Sequence, residues 1–333
     1  MNESRPNEHL SSEASIALSL WFALSSFAAV TGNAIVLWLL YKNETLQTIS
    51  NRYLASLSVA DLSVGLVVDP LWIVTRCWIQ PPLYTMLSDV LHVLWVHTAT
   101  ATTFNICCVS INRFIAIRFP LRYQEIVTKR RCYTVIILVW LSSLSLSAST
   151  LFMIGKLNVV SYLSYTCIIY VAPLLVVSFC YISIFKAASE QYKRTITREN
   201  FRNCDGNIRV LAVQNFIAIK TIGFVLGVCI ITWMPSLGLL SVVCYYVLTK
   251  DKSKIHELFY VVWPWVDAIA FTLSAINPLI YYFRNDDFRR AFRRTFHRWP
   301  FGHVDNSPAI GLNSEKKKKR MVRNDETTGN LAS

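Results

Sequence analysis

Asp61 sits inside the apolar stretch Tyr53 to Thr75, and Asn33, Thr102, Ser274 and Asn277 are likewise planted within long hydrophobic runs. A carboxylate near the centre of a bilayer costs at least about 2.5 kcal/mol, so it persists there only beside polar partners or water. Ser274 and Asn277 are three residues apart and therefore share a helical face. Oxygen atoms gathered around one buried carboxylate suit a hard cation, or a polar cluster bridged by water alone. A second group of residues has different chemistry. Asp69, Asp89 and Asp267 occur with His92 among Trp72, Trp78, Trp95, Trp263 and Trp265, and acids among aromatics suit a cationic ligand through charge pairing and cation–π contact. The competing reading of that group is an interfacial tryptophan belt with Asp89 facing water.

The elements that must position these residues are long apolar helices. Of 333 residues, 53% are hydrophobic and only 16% charged, and the apolar runs exceed the roughly 20 residues needed to cross a bilayer. Spans are expected at Ile16–Tyr41, Tyr53–Thr75, Leu83–Ile117, Cys132–Ile154, Ser161–Ala187, Phe216–Leu248 and His256–Phe283. The fold class is an all-α membrane protein, a seven-transmembrane helix bundle over 16–283 with a polar N-terminal tail, 1–15. The stretch Asn285–Phe296 places Phe288, Ala291, Phe292 and Phe296 opposite Arg289, Arg290, Arg293 and Arg294, so 284–298 reads as an amphipathic eighth helix on the membrane surface. Residues 299–333 read as a basic, disordered tail. No internal repeat of the kind many transporters carry is visible. No paired catalytic carboxylates lie within the spans, and there is no phosphate loop or zinc-ligand spacing, so no enzymatic chemistry is expected.

Charge fixes the expected orientation. Met1–Ser15 is polar and lacks a basic start, so the first apolar run reads as a retained signal anchor. Glu3, Glu8 and Glu13 precede that run, Lys42 and Arg52 follow it, and later basic clusters fall at Arg118–Arg131 and Lys193–Arg209. By the positive-inside bias the N-terminus is extracellular and the C-terminus cytoplasmic. The net charge of +13, including Lys316 to Arg320, is then a solvated inner face beside anionic lipid, and no nucleic-acid partner is needed. Cys107, Cys108, Cys180 and Cys229 fall within spans, and Cys132 and Cys204 at or beyond the reducing side. One extracellular bridge among Cys77, Cys167 and Cys244 leaves a thiol over, and the sequence selects no pair.

Read in order, the spans carry Gly32-Asn33-Ala34-Ile35-Val36, Leu57-Ser58-Val59-Ala60-Asp61, Ile111-Asn112-Arg113-Phe114, Trp140, Pro173 with Tyr181, Thr232-Trp233-Met234-Pro235 and Asn277-Pro278-Leu279-Ile280-Tyr281. This set, across all seven spans and the short helix after them, resembles the rhodopsin-like G-protein-coupled receptors. The resemblance implies a plasma-membrane receptor with an extracellular ligand, a heterotrimeric G protein and arrestin as cytoplasmic partners, and membrane lipids around it. It implies an allosteric sodium ion and water at Asp61, Thr102, Ser274 and Asn277, and no other cofactor. Asn112, Arg113, Tyr181, Pro235, Asn277, Pro278 and Tyr281 are the expected coupling and activation residues. Asp69, His92, Trp95, Trp233, Trp263 and Asp267 are the expected ligand-binding set, with Trp233 as the rotamer-sensitive residue below the ligand. Retinal is excluded, because Val261 to Ala275 holds no lysine for a Schiff base. Pro173, Pro235 and Pro278 each remove a helical hydrogen bond, which makes bends suited to two discrete packings.

Several positions depart from the family's pattern. Asn112 stands where the residue before the arginine is usually acidic, Asn215 where some members carry a second acidic restraint, and Cys229 where a Phe is expected, so high basal activity is one expectation. A non-coupling decoy or scaffolding receptor is another. Trp95 occupies the place of the amine receptors' third-helix Asp, which disfavours a standard monoamine mode. Ser88 replaces the usual outer Cys, as in melanocortin-, cannabinoid- and lysophospholipid-type receptors, so lipid or peptide ligands stay open beside an amine-like one. The topology has a direct check. Asn2-Glu3-Ser4 is a sequon on the extracellular side and Asn43-Glu44-Thr45 faces the cytosol. Asn2→Gln should abolish the glycosidase-sensitive gel shift of the chain expressed in animal cells, and Asn43→Gln should leave it unchanged.

Overall fold

The computed structural model describes residues 10–75, 83–152, 159–199, 206–284 and 286–296, with only the backbone of 83–85, 159, 162, 188, 191–199, 206–226, 229, 252, 256, 284 and 286. Asn2, Cys77, Trp78, Cys204 and the 299–333 tail lie outside the described residues, as do the side chains of Asn215 and Cys229. The described chain is helical: α1 (Ser12–Lys42), α2 (Ile49–Ile73), α3 (Leu83–Arg118), α4 (Lys129–Leu151), α5 (Val159–Thr166 and Ala172–Glu199), α6 (Gly206–Thr249), α7 (Lys252–Glu257 and Trp263–Arg284) and α8 (Asp286–Phe296). Among the described residues, seven helices are long and apolar enough to cross a membrane.

Helix starts differ from the hydropathy reading by about a turn, and caps explain it. The Ser11 hydroxyl accepts from Ala14 N at 3.2 Å, Thr48 from Asn51 N at 3.3 Å and Thr128 from Arg131 N at 3.3 Å. Each satisfies one otherwise orphaned N–H and carries the helix into polar sequence that a hydropathy window leaves out. α6 likewise begins at Gly206, ten residues before the expected start of its apolar run. Among the described residues, one-turn π segments at Val64–Val68, Cys167–Val171 and Leu258–Val262 interrupt α2, α5 and α7. Pro235 and Pro278 lie inside α6 and α7 as expected.

The chain divides into two compact units, Met1–Ala291 and Phe292–Ser333. In the first, Phe288 and Ala291 are buried while Arg290 is exposed; in the second, the Phe292 and Phe296 rings approach to 4.5 Å and Arg293 and Arg294 are exposed. Within the first unit α3 packs against α2, α4 and α5, and α7 against α1 and α6. Leu24, Phe27, Leu138, Leu141, Leu175 and Phe179 are exposed, whereas Asn33, Asp61, Asn105 and Ser110 are fully buried. That apolar exterior around polar centres is the arrangement a bilayer imposes. Trp140 of α4 donates its indole N–H to Ser56 of α2 at 3.1 Å.

Two close approaches require glycine. A Cβ on Gly65 would sit 3.0 Å from the Ser26 carbonyl and 3.1 Å from Ala29 Cβ, and one on Gly32 would sit 2.9 Å from Pro278 Cγ. The Ser26 hydroxyl uses the Gly65 approach to donate to the Gly65 carbonyl at 2.7 Å. Gly65→Val should push α1 from α2 and cost about 1–3 kcal/mol, the usual range for overpacking. Gly238→Ala, where a Cβ meets nothing within 4 Å, should be neutral or slightly stabilising. Thermal unfolding of the purified chain in lipid nanodiscs checks both.

Candidate functional site

The polar residues singled out from the apolar runs converge. Asp61, fully buried on α2, accepts from Thr102 of α3 at 3.3 Å and from Ser274 of α7 at 2.9 Å through Oδ1, and from the Asn277 amide at 2.7 Å through Oδ2. Asn33 of α1 joins them by donating to the Ser274 carbonyl at 3.1 Å and to Ala29 O at 2.9 Å. Three helices are thus tied through one carboxylate, and α1 is fastened to the same turn of α7 through the Ser274 carbonyl. All of its donors are neutral, so the site keeps a formal negative charge wherever Asp61 is ionised. Asn33 Oδ1 and Ser58 Oγ are buried beside this network without hydrogen-bond partners. Unused oxygens around an uncompensated carboxylate are the donor set a small hydrated cation needs.

A small, partly open cavity lies beside the cluster. Its wall includes Trp95 and Thr98 of α3, Tyr170 of α5, Trp233 of α6 and Phe271 of α7, and its floor includes Thr102 and Ser274, the hydroxyls that hold Asp61. The threonine and serine hydroxyls of the lining have their protons committed elsewhere: Thr98 donates to Leu94 O at 2.9 Å, Thr103 to Thr100 O at 3.1 Å, and Thr102 and Ser274 to Asp61. Those hydroxyls turn lone pairs, not protons, toward an occupant.

At the end of the cavity away from Arg113, α7 continues the same face upward through Asp267 and Trp263, four and eight residues before Phe271. Asp267 is 6% exposed and its Oδ2 accepts the Trp72 indole N–H at 3.2 Å. Trp72 is held in turn by stacking on Phe22, with ring centroids 4.1 Å apart. The Trp95 ring lies 6.3 Å from Trp263 and 6.4 Å from Tyr170, and the Tyr170 hydroxyl is within electrostatic reach of Asp267 and beside Ser236.

Of the ligand residues expected from sequence, Trp95 and Trp233 line the cavity; Trp263 and Asp267 are not part of its lining, Trp263 packing on Trp95 at 6.3 Å and Asp267 being buried against Trp72. His92 is exposed and stacks on Trp95 at 6.2 Å, outside the lining. Asp69 is displaced from the expected set: it is fully buried, lines no part of the cavity, and neither oxygen has a hydrogen-bond partner. It follows the π segment of α2, whose extra residue rotates everything after it, a shift that uniform helical periodicity does not register. Trp265 is 43% exposed, away from the aromatic group. Tyr170, Phe271 and Thr98 escaped the sequence reading because nothing distinguishes a cavity aromatic or threonine from a core one before the helices are assembled. Cys167 and Cys244 are free thiols, and Cys77 lies outside the described residues, so the disulfide question stays as the sequence left it.

At the opposite end Asn112 is buried, its amide donating to Ser50 Oγ at 2.7 Å and its Oδ1 accepting from the Tyr123 hydroxyl at 3.0 Å. It therefore links α3 to α2 and to the short helical turn after α3. Arg113 is half-buried beside it, and Tyr181 and Tyr281 are both buried. The Cys107 thiol donates to the Pro173 carbonyl at 3.7 Å, next to the π segment of α5.

Residues 32–281 match the family of 7 transmembrane receptors (rhodopsin family). The chain is 26% identical over 326 residues to the histamine H2 receptor of Canis lupus familiaris, covering 92% of this chain and 87% of that protein. It is 28% identical over 314 residues to the adenosine receptor A2b of Gallus gallus, covering 84% and 87%, and 26% identical over 314 residues to the octopamine receptor beta-2R of Chilo suppressalis, covering 80% and 76%. Seven apolar spans, a polar core on Asp61 and this match over most of the bundle make the chain a receptor, not an enzyme, and it belongs to the rhodopsin family of G-protein-coupled receptors.

Proposed function

We propose that this chain is a plasma-membrane receptor for a small cationic ligand, bound in the cavity beneath Trp263 and Asp267, and that occupancy is relayed to a heterotrimeric G protein at the Arg113 end, with arrestin as a further partner there. The N-terminus is extracellular and the tail from 299 to 333 cytoplasmic in this reading, with 284–298 lying on the inner leaflet. The observation that carries it is shared residues: Thr102 and Ser274 belong both to the cavity floor and to the Asp61 cluster. An occupant that moves either hydroxyl alters the donors on Asp61. Asn277 is on the same carboxylate and immediately precedes the helix bend at Pro278, so the disturbance reaches α7. A ligand shifts such an equilibrium only by its differential affinity for the two packings.

The charge of the ligand follows from the cavity. Asp267 supplies an anion, and the lining hydroxyls supply lone pairs with their protons committed elsewhere. A carboxylate with these lone pairs near it suits a cation. Two of the relatives are named for amines, histamine and octopamine, and one for adenosine. Because Trp95 stands on α3 where the monoamine counterion belongs by family resemblance, the anchor in this chain moves to Asp267 on α7. Around Asp61, the carboxylate with Thr102, Ser274 and Asn277 would hold a sodium ion, which neutralises the buried charge.

Three outcomes test this reading. Nucleotide exchange on an added G-protein trimer should accelerate when the chain in nanodiscs meets an active member of an amine, peptide and lipid panel; binding without exchange would make it a decoy. Asp267→Ala should lower the potency of a cationic agonist by roughly a hundredfold, the cost of one buried charge pair, while a lipid agonist that is unaffected would overturn the cationic assignment. Asn112→Asp keeps an acceptor for Tyr123 and adds a negative charge next to Arg113, so ligand-free exchange should fall; an unchanged basal rate would show that the neutral residue is not the cause of high basal activity.

A further inference from the structure

We infer that the outer part of the α1–α2 seam holds a small monovalent cation on Asp69, at a site separate from Asp61 and from the cavity. Charge and register carry it. Asp61, Asp69 and Asp267 are all buried, whereas among the described residues no lysine, arginine or histidine is. Asp69 is the least compensated of the three: it is fully buried and neither of its oxygens accepts a hydrogen bond. Buried acids are rare unless paired. Asp69 lines no part of the cavity, and the π segment Val64–Val68 separates it from Asp61 on α2.

Two contacts fix what runs alongside it. α1 packs along both the π segment and Asp69–Ile73, with the Ser26 hydroxyl on the Gly65 carbonyl at 2.7 Å and the Phe22 ring on Trp72 at 4.1 Å. Asp69 lies between Gly65 and Trp72, and Ser25 between Phe22 and Ser26, so the two occupy the same stretch of the seam. The Ser25 hydroxyl is buried without a partner, as is that of Ser19, one turn before Phe22 on the face that Phe22 and Ser26 share. Donors next to Asp69 are spent: Ser26 on Gly65, Trp72 on Asp267, and Thr75 on the Leu71 carbonyl at 2.7 Å. Within a bilayer such groups have no solvent to turn to, so unmatched oxygens on both sides of one seam call for a polar occupant. Water alone leaves the charge of the carboxylate in place. A hard cation takes carboxylate and hydroxyl oxygens as ligands and cancels that charge. One carboxylate among neutral oxygens balances a single charge, which selects a sodium-like ion over calcium or magnesium. Protonated, the same carboxylate would need no ion, and the experiment separates the two.

Sodium chloride is titrated against N-methylglucamine chloride at constant ionic strength, with thermal unfolding of the full-length chain in nanodiscs as the readout. Asp61→Asn removes the inner carboxylate and should keep a saturable, sodium-dependent stabilisation. Adding Asp69→Asn should abolish it. Adding Ser25→Ala instead should raise its sodium midpoint by about fivefold, the loss of one oxygen ligand. If the chain with both carboxylates replaced does not fold, the Ser25→Ala shift decides. Loss of all sodium dependence in Asp61→Asn alone, the result a protonated Asp69 gives, overturns the site. So does a sodium response that survives Asp69→Asn, or an unmoved midpoint in Ser25→Ala. Agonist-stimulated nucleotide exchange is read separately, so failure of the cationic-ligand reading leaves this result untouched.

Discussion

A single carboxylate buried at the centre of an apolar bundle must be satisfied, and the way Asp61 is satisfied organises the rest of the molecule. Left alone in that interior it would cost several kcal/mol. Its oxygens instead receive donors from α3 and α7, and Asn33 of α1 fastens the same α7 turn through the Ser274 carbonyl. The four helices are therefore bound not by apolar contact, which in lipid provides little net drive between helices, but by a polar node whose dismantling is expensive. Because the donors are neutral hydroxyls and an amide, the node is also adaptable. Hydroxyls rotate, and a cation or water can take the place of a proton donor without the helices separating.

The fold was readable from the sequence to the extent that lipid imposes it. Seven apolar runs, a polar set spaced through them and basic clusters on alternate connections left few other arrangements for Asn33, Asp61, Thr102, Ser274 and Asn277, and these five do meet. What hydropathy misses is whatever polar sequence accomplishes: the caps at Ser11, Thr48 and Thr128 start three helices about a turn early. The π segments are invisible for a different reason, since one extra residue in a turn changes no composition. The binding region suffers most from this. Asp69 looked equivalent to Asp267 as an acid among tryptophans, yet Asp267 receives the Trp72 indole N–H and Asp69 is buried with neither oxygen hydrogen-bonded. The pairing of Trp72 with Asp267 joins residues 195 apart, and neither residue signals the other in the sequence.

The departure at Asn112 has a physical sense. A carboxylate at position 112 would place a charge beside Arg113; the amide here satisfies itself with Ser50 and Tyr123 and leaves no net charge there. Hydrogen bonds between neutral groups of this kind are worth about 1 kcal/mol each, whereas a hydrogen-bonded charge pair is worth more. The local geometry around α3 is thus held by neutral groups. Packing at this end and restraint of its cation are separate properties, and Asn112 serves the first without adding a charge to the second.

α2 and α7 are joined twice, and the spacing of the two bonds explains the π segment between them. Asp61 pairs with Asn277 and Trp72 with Asp267, so the rungs are eleven residues apart on α2 and ten on the antiparallel α7. At about 1.5 Å per residue two regular helices would mismatch by one residue's rise and a 100° rotation, enough to turn one of the side chains away. The π segment at Val64–Val68 lies between the α2 rungs and absorbs one residue, whereas that of α7 at Leu258–Val262 lies before both of its rungs. The bulge brings both rungs into register. Its consequence is mechanical: the Trp72–Asp267 rung and the Asp61–Asn277 rung share one helix pair, so loosening the first shifts load onto the second.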